Sequence, residues 1–439
     1  MSDPRPGTLP GSVRRGAAVA GATLAVTGAA SLLLAWLIAT ASMTFGQLLT
    51  TAGVLLAGAF GAGVDGSMSG SFVVVGGTAS GSATAVPLTL TLLAGATAVL
   101  AFRRVSRDVP HTGAATPLVD AAVAAALVAV GVLVVALLAR TGSGGILVAL
   151  DWIAARDADQ VRGDAGVVPW RAPLGAFALM LGVLGVLAVT TLGERLRAPV
   201  HGLVTLLLLL PVAGVLGVLM LAGGDPAPTG DVSVEAASGV GLGLAALATW
   251  GFAVLALGAL GPAGYTVDGS ASGDLEVTLG AFHSRLGHWT DSEPGLWAAI
   301  PVAVLVLGLS ALRVARSSTD VRRVPGDLLR WLALLAVVLP GLAVVSRLSG
   351  TGRVAGQSWG EEGRGELTGT LGLDLWPATL HLLALAGAVA LVVGLLARAR
   401  GRRPGDRLSA PSDRRTLEET SVTPVTGGSS DGHPAPPHP

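Results

Sequence analysis

The sequence predicts an all-α polytopic membrane protein of about ten apolar helices, in two tandem repeats with small β-containing extracytoplasmic loops. Three observations lead to this fold class. Hydrophobic residues make up 51% of the 439 residues and charged residues 13%, which is outside the range of soluble domains. Apolar runs recur along the chain at lengths that suit a bilayer. A heptapeptide from the first half returns almost unchanged in the second half.

The apolar runs define the predicted helices. Each run has roughly the 17 to 25 residues needed to cross about 30 Å of hydrocarbon. The ten runs are 16–41, 47–64, 86–102, 118–139, 172–192, 200–222, 238–262, 295–312, 328–346 and 375–397.

The first run follows Arg14 and Arg15 and is longer than the core of a signal peptide, so we expect it to remain as a membrane helix. The alternative is a twin-arginine signal, but bulky apolar residues do not follow the arginine pair. Residues 1–13 and 404–439 are rich in Pro, Ser, Gly and charge and are predicted to be disordered and cytoplasmic.

The repeated heptapeptide indicates a tandem duplication. VDGSMSG at 64–70 and VDGSASG at 267–273 each follow a glycine-rich apolar run and precede another helix. Later arginines and tryptophans also keep the same order in the two halves. We therefore predict membrane repeats at 14–197 and 198–403, from a duplication of about 205 residues. Chance matching in a chain rich in Gly, Ser and Ala is the alternative.

The topology depends on the second apolar run of each half. Runs 47–64 and 238–262 either cross the membrane or are re-entrant, which gives ten or eight crossings. An even number per half leaves both halves facing the same way, whereas an odd number inverts the second half. Both halves carry arginines after their third and fifth segments, which favours parallel halves. Either topology predicts a multi-pass membrane protein with both termini in the cytoplasm.

Three loop segments have the composition of short strands. SFVVVGG at 71–77, DLEVTLG at 274–280 and ELTGTLGLDL at 366–375 contain β-branched residues and are bounded by Gly or Ser. We predict a small extracytoplasmic sheet with strands from both halves.

Three polar residues are candidates for a function. Asp65 and Asp268 lie in the DGS part of the heptapeptides, where a carboxylate can accept hydrogen bonds from following amides and fix a turn. The alternative is that both aspartates converge on a cation such as Ca²⁺. His381 is the deepest ionisable group in a predicted helix and either has a functional role or bonds a neighbouring helix.

The remaining chemistry is sparse. The chain has no cysteine, no phosphate-binding or dinucleotide motif and no nucleophile with a partnered base. His283, His288, Asp291 and Glu293 could hold zinc, but their spacing does not match a helical metal motif.

No Asp, Glu, Arg or His lies near the middle of a predicted helix, although proton-coupled transporters usually need one. A formal charge of zero argues against nucleic-acid binding. We therefore expect no enzyme activity, no cofactor and no resident metal.

Two functions remain. The first is a non-catalytic scaffold or accessory protein of the cell envelope, with the lipid bilayer and other membrane proteins as partners. The alternative is a channel or facilitator for a small solute built from two repeats. A polar path lined by Ser and Thr from both halves would favour the channel, and a packed interior would favour the scaffold.

The segments GQLLTTAGVLLAGAFGAGVDGSMSG, VPLTLTLLAGATAVLAFRRVSR and LGLDLWPATLHLLALAG together resemble the streptophobe family of actinobacterial membrane proteins. The resemblance covers most of the membrane region and rests on motifs rich in Gly, Ser and Pro. It implies a plasma-membrane location and carries no catalytic residues, because the family has no established function.

Overall fold

The computed structural model describes most of the chain, with ten helices and seven strands in the described part. The described residues are 8–38, 44–72, 75–84, 86–106, 115–140, 162–192, 196–222, 235–272, 282–284, 297–358 and 361–401.

The helices follow the predicted apolar runs closely. They are α1 Thr8–Ile38, α2 Phe45–Ala59, α3 Leu88–Ser106, α4 Ala115–Arg140, α5 Arg171–Leu192, α6 Arg197–Ala222, α7 Glu235–Gly258, α8 Ala299–Ser317, α9 Val324–Val345 and α10 Leu375–Gly401.

The polytopic helical membrane fold is confirmed. Within the described residues, eight helices are long and apolar enough to cross a membrane, whereas α2 and the apolar part of α7 at Gly243–Gly258 are shorter. These two are the runs whose crossing the sequence left open. The first helix begins at Thr8, inside the segment predicted to be disordered. The predicted disordered segment 404–439 lies outside the described residues.

The strands form one antiparallel sheet that is larger than the sequence predicts. They are β1 Val64–Phe72, β2 Val75–Thr84, β3 Arg162–Val167, β4 Ala263–Ser272, β5 Phe282–Ser284, β6 Leu348–Ser358 and β7 Glu361–Leu373. Their order in the sheet is β3-β1-β2-β6-β7-β4-β5, and every neighbouring pair is antiparallel.

Two of the three predicted strand segments can be compared with this sheet. Segment 366–375 falls almost entirely in β7, as predicted. Segment 71–77 instead spans the end of β1 and the start of β2, because the strands extend over the Gly- and Ser-rich residues on either side. Segment 274–280 lies outside the described residues.

The sheet fixes the direction of the helices. β2 leads into α3, β3 into α5 and β7 into α10, while α9 leads into β6. Because these strands share one sheet, the helix ends next to them lie at one end of the bundle, the sheet end. We call the opposite end the distal end. Tryptophans Trp170, Trp297 and Trp376, at or just before helix starts on the sheet end, are more than half exposed, as in an interfacial belt.

Helices α2 and α7 begin and end on the sheet side. α1 runs parallel to α4, since Gly16 faces Val123 and Gly131 faces Leu24, so α1 also ends at the sheet end. α2 then follows α1 and leads into β1. At about 1.5 Å per residue, the 15 residues of α2 reach roughly 22 Å, less than the hydrocarbon thickness. This connectivity fits eight crossings.

The junction between α2 and β1 has the same geometry as the junction between α7 and β4. Gly61 and Leu260 have positive φ angles of 83° and 62°, and the next amide nitrogens donate back to Ala57 and Ala256. This is a left-handed helix end of the Schellman type. Downstream, the carbonyls of residues 63 and 262 accept hydrogen bonds from the amides of residues 168 and 374, at 2.9 and 3.2 Å. Each junction therefore also holds the segment that leads into the last helix of its half.

Glycines bring the backbones of α6 and α7 into direct contact. A Cβ atom added at Gly251 would overlap the carbonyl oxygen of Leu210, and one added at Gly214 would overlap the carbonyl oxygen of Leu247. Such close approach lets dispersion contacts accumulate where hydrophobic collapse does not drive association.

We expect Gly251→Ala to destabilise the protein by roughly 1–3 kcal/mol, because a backbone atom cannot move aside as a side chain can. Gly243→Ala in the same helix is the matched control, since a Cβ there meets nothing within 4 Å and alanine favours the helix by about 1 kcal/mol. Thermal unfolding in detergent measures both. Equal melting temperatures for the two variants would contradict the contact.

The sheet also predicts the topology of the two halves. Ser69 and Ser272 lie in one row across the sheet, through Thr78, Ala355 and Arg364. Cysteines placed at Ser69 and Ser272 are therefore expected to react with a membrane-impermeant maleimide from the same side. The chain has no cysteine background, and Ser317→Cys at the distal end should react from the other side. Labelling of residues 69 and 272 from opposite sides would overturn this arrangement.

Candidate functional site

The two repeated heptapeptides lie at the same level of the sheet, although Asp65 is the second residue of β1 and Asp268 the sixth residue of β4. Asp65 lies opposite Ser82, Ser82 opposite Thr351, Thr351 opposite Thr368, and Thr368 opposite Asp268. The five positions share one face of the sheet, since directly opposed residues do. The aspartates therefore lie at the same level on the second and sixth strands, one strand in from either edge. We call this line of five positions the aspartate row.

The turn predicted at the DGS sequences is not present. Asp65 lies inside β1, paired with β2 and β3, and Asp268 lies inside β4, paired with β7. Asp-Gly-Ser favours turns through local hydrogen bonds, but strand pairing over nine or ten residues supplies the same backbone groups with partners and overrides that local preference.

The backbone separation argues against one cation shared by the two aspartates. Three strands lie between β1 and β4, so four steps of about 4.8 Å place the two backbones roughly 19 Å apart. Calcium needs oxygen ligands at about 2.4 Å. Among the residues that the structure describes, no group of three metal-ligating side chains is present. Most of the 282–293 histidine cluster lies outside the described residues.

The centre of the aspartate row joins the two halves of the chain. The hydroxyl oxygens of Ser82 and Thr351 are 2.8 Å apart, close enough for a hydrogen bond between β2 and β6. The same two strands are paired from Val75 opposite Ser358 to Thr84 opposite Ser349. The sheet is therefore continuous across the molecule at this row.

His381 faces outward near the sheet end of α10. Its Nδ1 atom lies 2.7 Å from the carbonyl oxygen of Pro377, one turn earlier in the same helix, and its side chain is exposed. The bond predicted to a neighbouring helix is thus replaced by one within α10. A functional role for His381 remains a prediction, as it does for Asp65 and Asp268.

At the distal end, a buried ion pair joins α1 to α4. Arg15 Nε donates to Asp120 Oδ2 at 2.7 Å, and Nη2 donates to Oδ1 at 2.9 Å. Nη2 also lies 3.2 Å from Ser12 Oγ. The side chain of Asp120 is 8% exposed. Its carboxylate therefore depends on this bidentate ion pair for compensation of its charge. The sequence places both charged residues near helix ends. It does not predict their contact, because 105 positions separate them.

The second half has an acidic residue in a similar place. Asp327 at the start of α9 accepts from Ser318 Oγ at 2.9 Å and from Arg330 Nη1 at 2.8 Å. Its partners are therefore close in sequence, in contrast to those of Asp120. His201 on α6 has a position similar to that of Arg15 on α1. Each precedes a glycine, Gly16 or Gly202, that packs against the helix carrying the aspartate.

Three arginines lie near His201 at the distal end. Arg197 is one turn earlier on α6, and Arg313 on α8 directly precedes Val314, which packs against Gly202. Arg103 is in the last turn of α3, and its positive charge also acts on the imidazole. The three arginines are exposed, and His201 is half-buried. We call these four residues the basic cluster. Sequence analysis noted arginines at the ends of these helices but could not predict that three of them converge.

Together, the eight apolar helices and the charges kept to helix ends define a multi-pass α-helical membrane protein. No family model matches the chain, and comparisons with curated proteins and with solved structures find no match either.

We expect Arg15→Gln to cost roughly 3 kcal/mol of stability, because it leaves the carboxylate of Asp120 buried without its partner. Arg14→Gln, at an exposed neighbouring position, should change stability by less than about 0.5 kcal/mol. The double variant Arg15→Met and Asp120→Leu should regain most of the loss, since apolar groups can replace a buried ion pair. Thermal unfolding in detergent tests all three, and a harmless Arg15→Gln would contradict a structural role for the pair.

Proposed function

We propose that this protein is a non-catalytic scaffold or accessory protein of the cell envelope. The observation that supports this most is the unbroken ladder between β2 and β6, which ties the two halves together outside the helix bundle. A scaffold must hold a fixed surface for its partners, and a sheet shared by both halves supplies such a surface.

The same ladder argues against transport by relative motion of the halves. Transporters built from repeats alternate access by rocking one repeat against the other. Here that motion would strain or break ten consecutive opposed pairs from Val75 to Thr84. The α6–α7 backbone contact at Gly214 and Gly251 likewise leaves little room for one helix to slide along another.

The buried hydroxyl groups also support a packed interior. On α1, Thr23 and Thr27 are fully buried and donate to the carbonyl oxygens of Val19 and Thr23 at 2.8 Å. With Arg15 matched to His201, the corresponding positions of α6 are Leu209 and Ala213. The two hydroxyls of α1 therefore have no counterpart at these positions of α6, whereas a channel lined by both helices requires polar groups there.

A channel or facilitator for a small solute is the second candidate. It is favoured by two buried hydroxyls, Ser31 Oγ on α1 and Thr51 Oγ1 on α2, that have no hydrogen-bond partner within the described residues. Unpaired buried hydroxyls can mark a site for water or a polar solute.

The proposal has an evolutionary and a cellular part. We propose that the two halves arose by tandem duplication, supported by the matched junctions at Gly61 and Leu260. We also propose that they face the same way, supported by the single sheet that both halves share. The arginine-rich distal end is proposed to be cytoplasmic, with both termini and the disordered tail on that side. A streptophobe-like protein in an actinobacterial plasma membrane is consistent with this orientation.

A reversible cross-link distinguishes the two functions. We expect cysteines at Ser82 and Thr351 to form a disulfide readily, because their hydroxyl oxygens are 2.8 Å apart. For a scaffold, proteoliposomes carrying the oxidised or the reduced variant should admit small uncharged solutes no faster than empty vesicles, as measured by stopped-flow light scattering.

Proximity labelling from a tag at the sheet end should mark the same membrane proteins in the native host for the oxidised variant, the reduced variant and the unmodified protein. Solute entry above that of empty vesicles, slowed by oxidation of the cysteine pair, would overturn the scaffold in favour of the facilitator. Serine at both positions under the same redox conditions is the matched control.

A further inference from the structure

The basic cluster gathers charge from both halves of the molecule at one point of the distal end. Arg103 closes α3 of the first half, and Arg313 closes α8, the corresponding helix of the second half. Arg197 begins α6, which carries His201. All three positive charges act on the same imidazole. Like charges brought together repel one another, so the arrangement has a cost unless an anion compensates it.

No carboxylate within the described residues neutralises these arginines. The two ion pairs found there are Arg15 with Asp120 and Arg330 with Asp327, and neither includes a member of the basic cluster. Arginines that merely set topology need only lie on the cytoplasmic side of the membrane. Their convergence on one histidine is an additional feature.

A second observation concerns the buried residues that pack against α6 next to His201. Gly202, next to His201, packs against Val314 and Trp331, and Ser310 Oγ donates to its carbonyl oxygen at 2.7 Å. Trp331 is fully buried, yet its Nε1 atom and the Nδ1 atom of His201 have no hydrogen-bond partner within the described residues. Buried polar nitrogens of this kind are usually paired, so these residues have unused hydrogen-bonding capacity beside the arginines.

We propose that the basic cluster binds a phosphate group at the membrane surface, with Arg103, Arg197 and Arg313 as its ligands and the headgroup of an anionic phospholipid as its source. Guanidinium groups bind phosphate oxygens with two parallel hydrogen bonds. Basic pockets between membrane helices on the cytoplasmic side are suited to anionic headgroups. The site joins α3 of one half to α6 and α8 of the other, so a bound lipid would hold the two halves together at the end that lacks the sheet.

The test measures lipid retention by the full chain. Native mass spectrometry of protein purified from nanodiscs containing phosphatidylglycerol and phosphatidylcholine should detect retained phosphatidylglycerol. Each of Arg103→Gln and Arg313→Gln should weaken retention about fivefold, since each arginine near a membrane surface contributes about 1 kcal/mol. Arg104→Gln and Arg316→Gln are matched controls, because both arginines are exposed, lie in the last turns of the same helices and are not among the charges acting on His201.

The unmodified protein provides a test that does not depend on the folding of variants. Raising the salt concentration should release phosphatidylglycerol and leave phosphatidylcholine unaffected. Displacement of the lipid by millimolar inorganic phosphate would assign the site to free phosphate and overturn the lipid as its source. Retention that is insensitive to salt, or equally weakened by the control substitutions, would overturn the proposal. The scaffold function would be unaffected, because it depends on the sheet.

Discussion

The ladder between β2 and β6 is the interaction on which the rest of the structure depends. Without it, each half would expose a long edge of unpaired backbone groups, since β3-β1-β2 would end at β2 and β6-β7-β4-β5 would end at β6. Open edges of this length invite pairing with other chains. Joining the edges satisfies both sets of groups and sets every adjoining helix end on one side of the bundle. The direction of the helices of one half relative to those of the other therefore follows from hydrogen bonding in the sheet.

The sequence predicted the helices well and the sheet poorly, for a physical reason. A membrane helix satisfies its own backbone and must be apolar over its length, so each helix can be located within its own residues. The strands contain mainly Gly, Ser, Ala and Thr, and of these only Thr favours strands. Their pairing is set by partners far away in sequence, such as Ser82 and Thr351. The heptapeptide signalled equivalence between Asp65 and Asp268 but not that both lie in strands.

Charge at the distal end was equally hard to predict from local patterns. The sequence places Arg15 and Asp120 near helix ends, but their contact depends on α1 and α4 packing in parallel. Gly16 and Gly131 permit that approach because they have no Cβ atom. The space that a Cβ would fill is occupied by Val123 at Gly16 and by Leu24 at Gly131. The clustering of arginines around His201 depends in the same way on the packing of α3, α6 and α8. Long-range arrangement, rather than residue type, defines both sites.

The contrast between paired and unpaired arginines bears on the meaning of the basic cluster. The chain has as many acidic as basic residues, 28 of each, and at the same end of the bundle Arg15 and Arg330 each have an aspartate partner. Within the described residues, Arg103, Arg197 and Arg313 form no ion pair with a carboxylate. The proposed phosphate would compensate their charge at a surface that meets lipid headgroups.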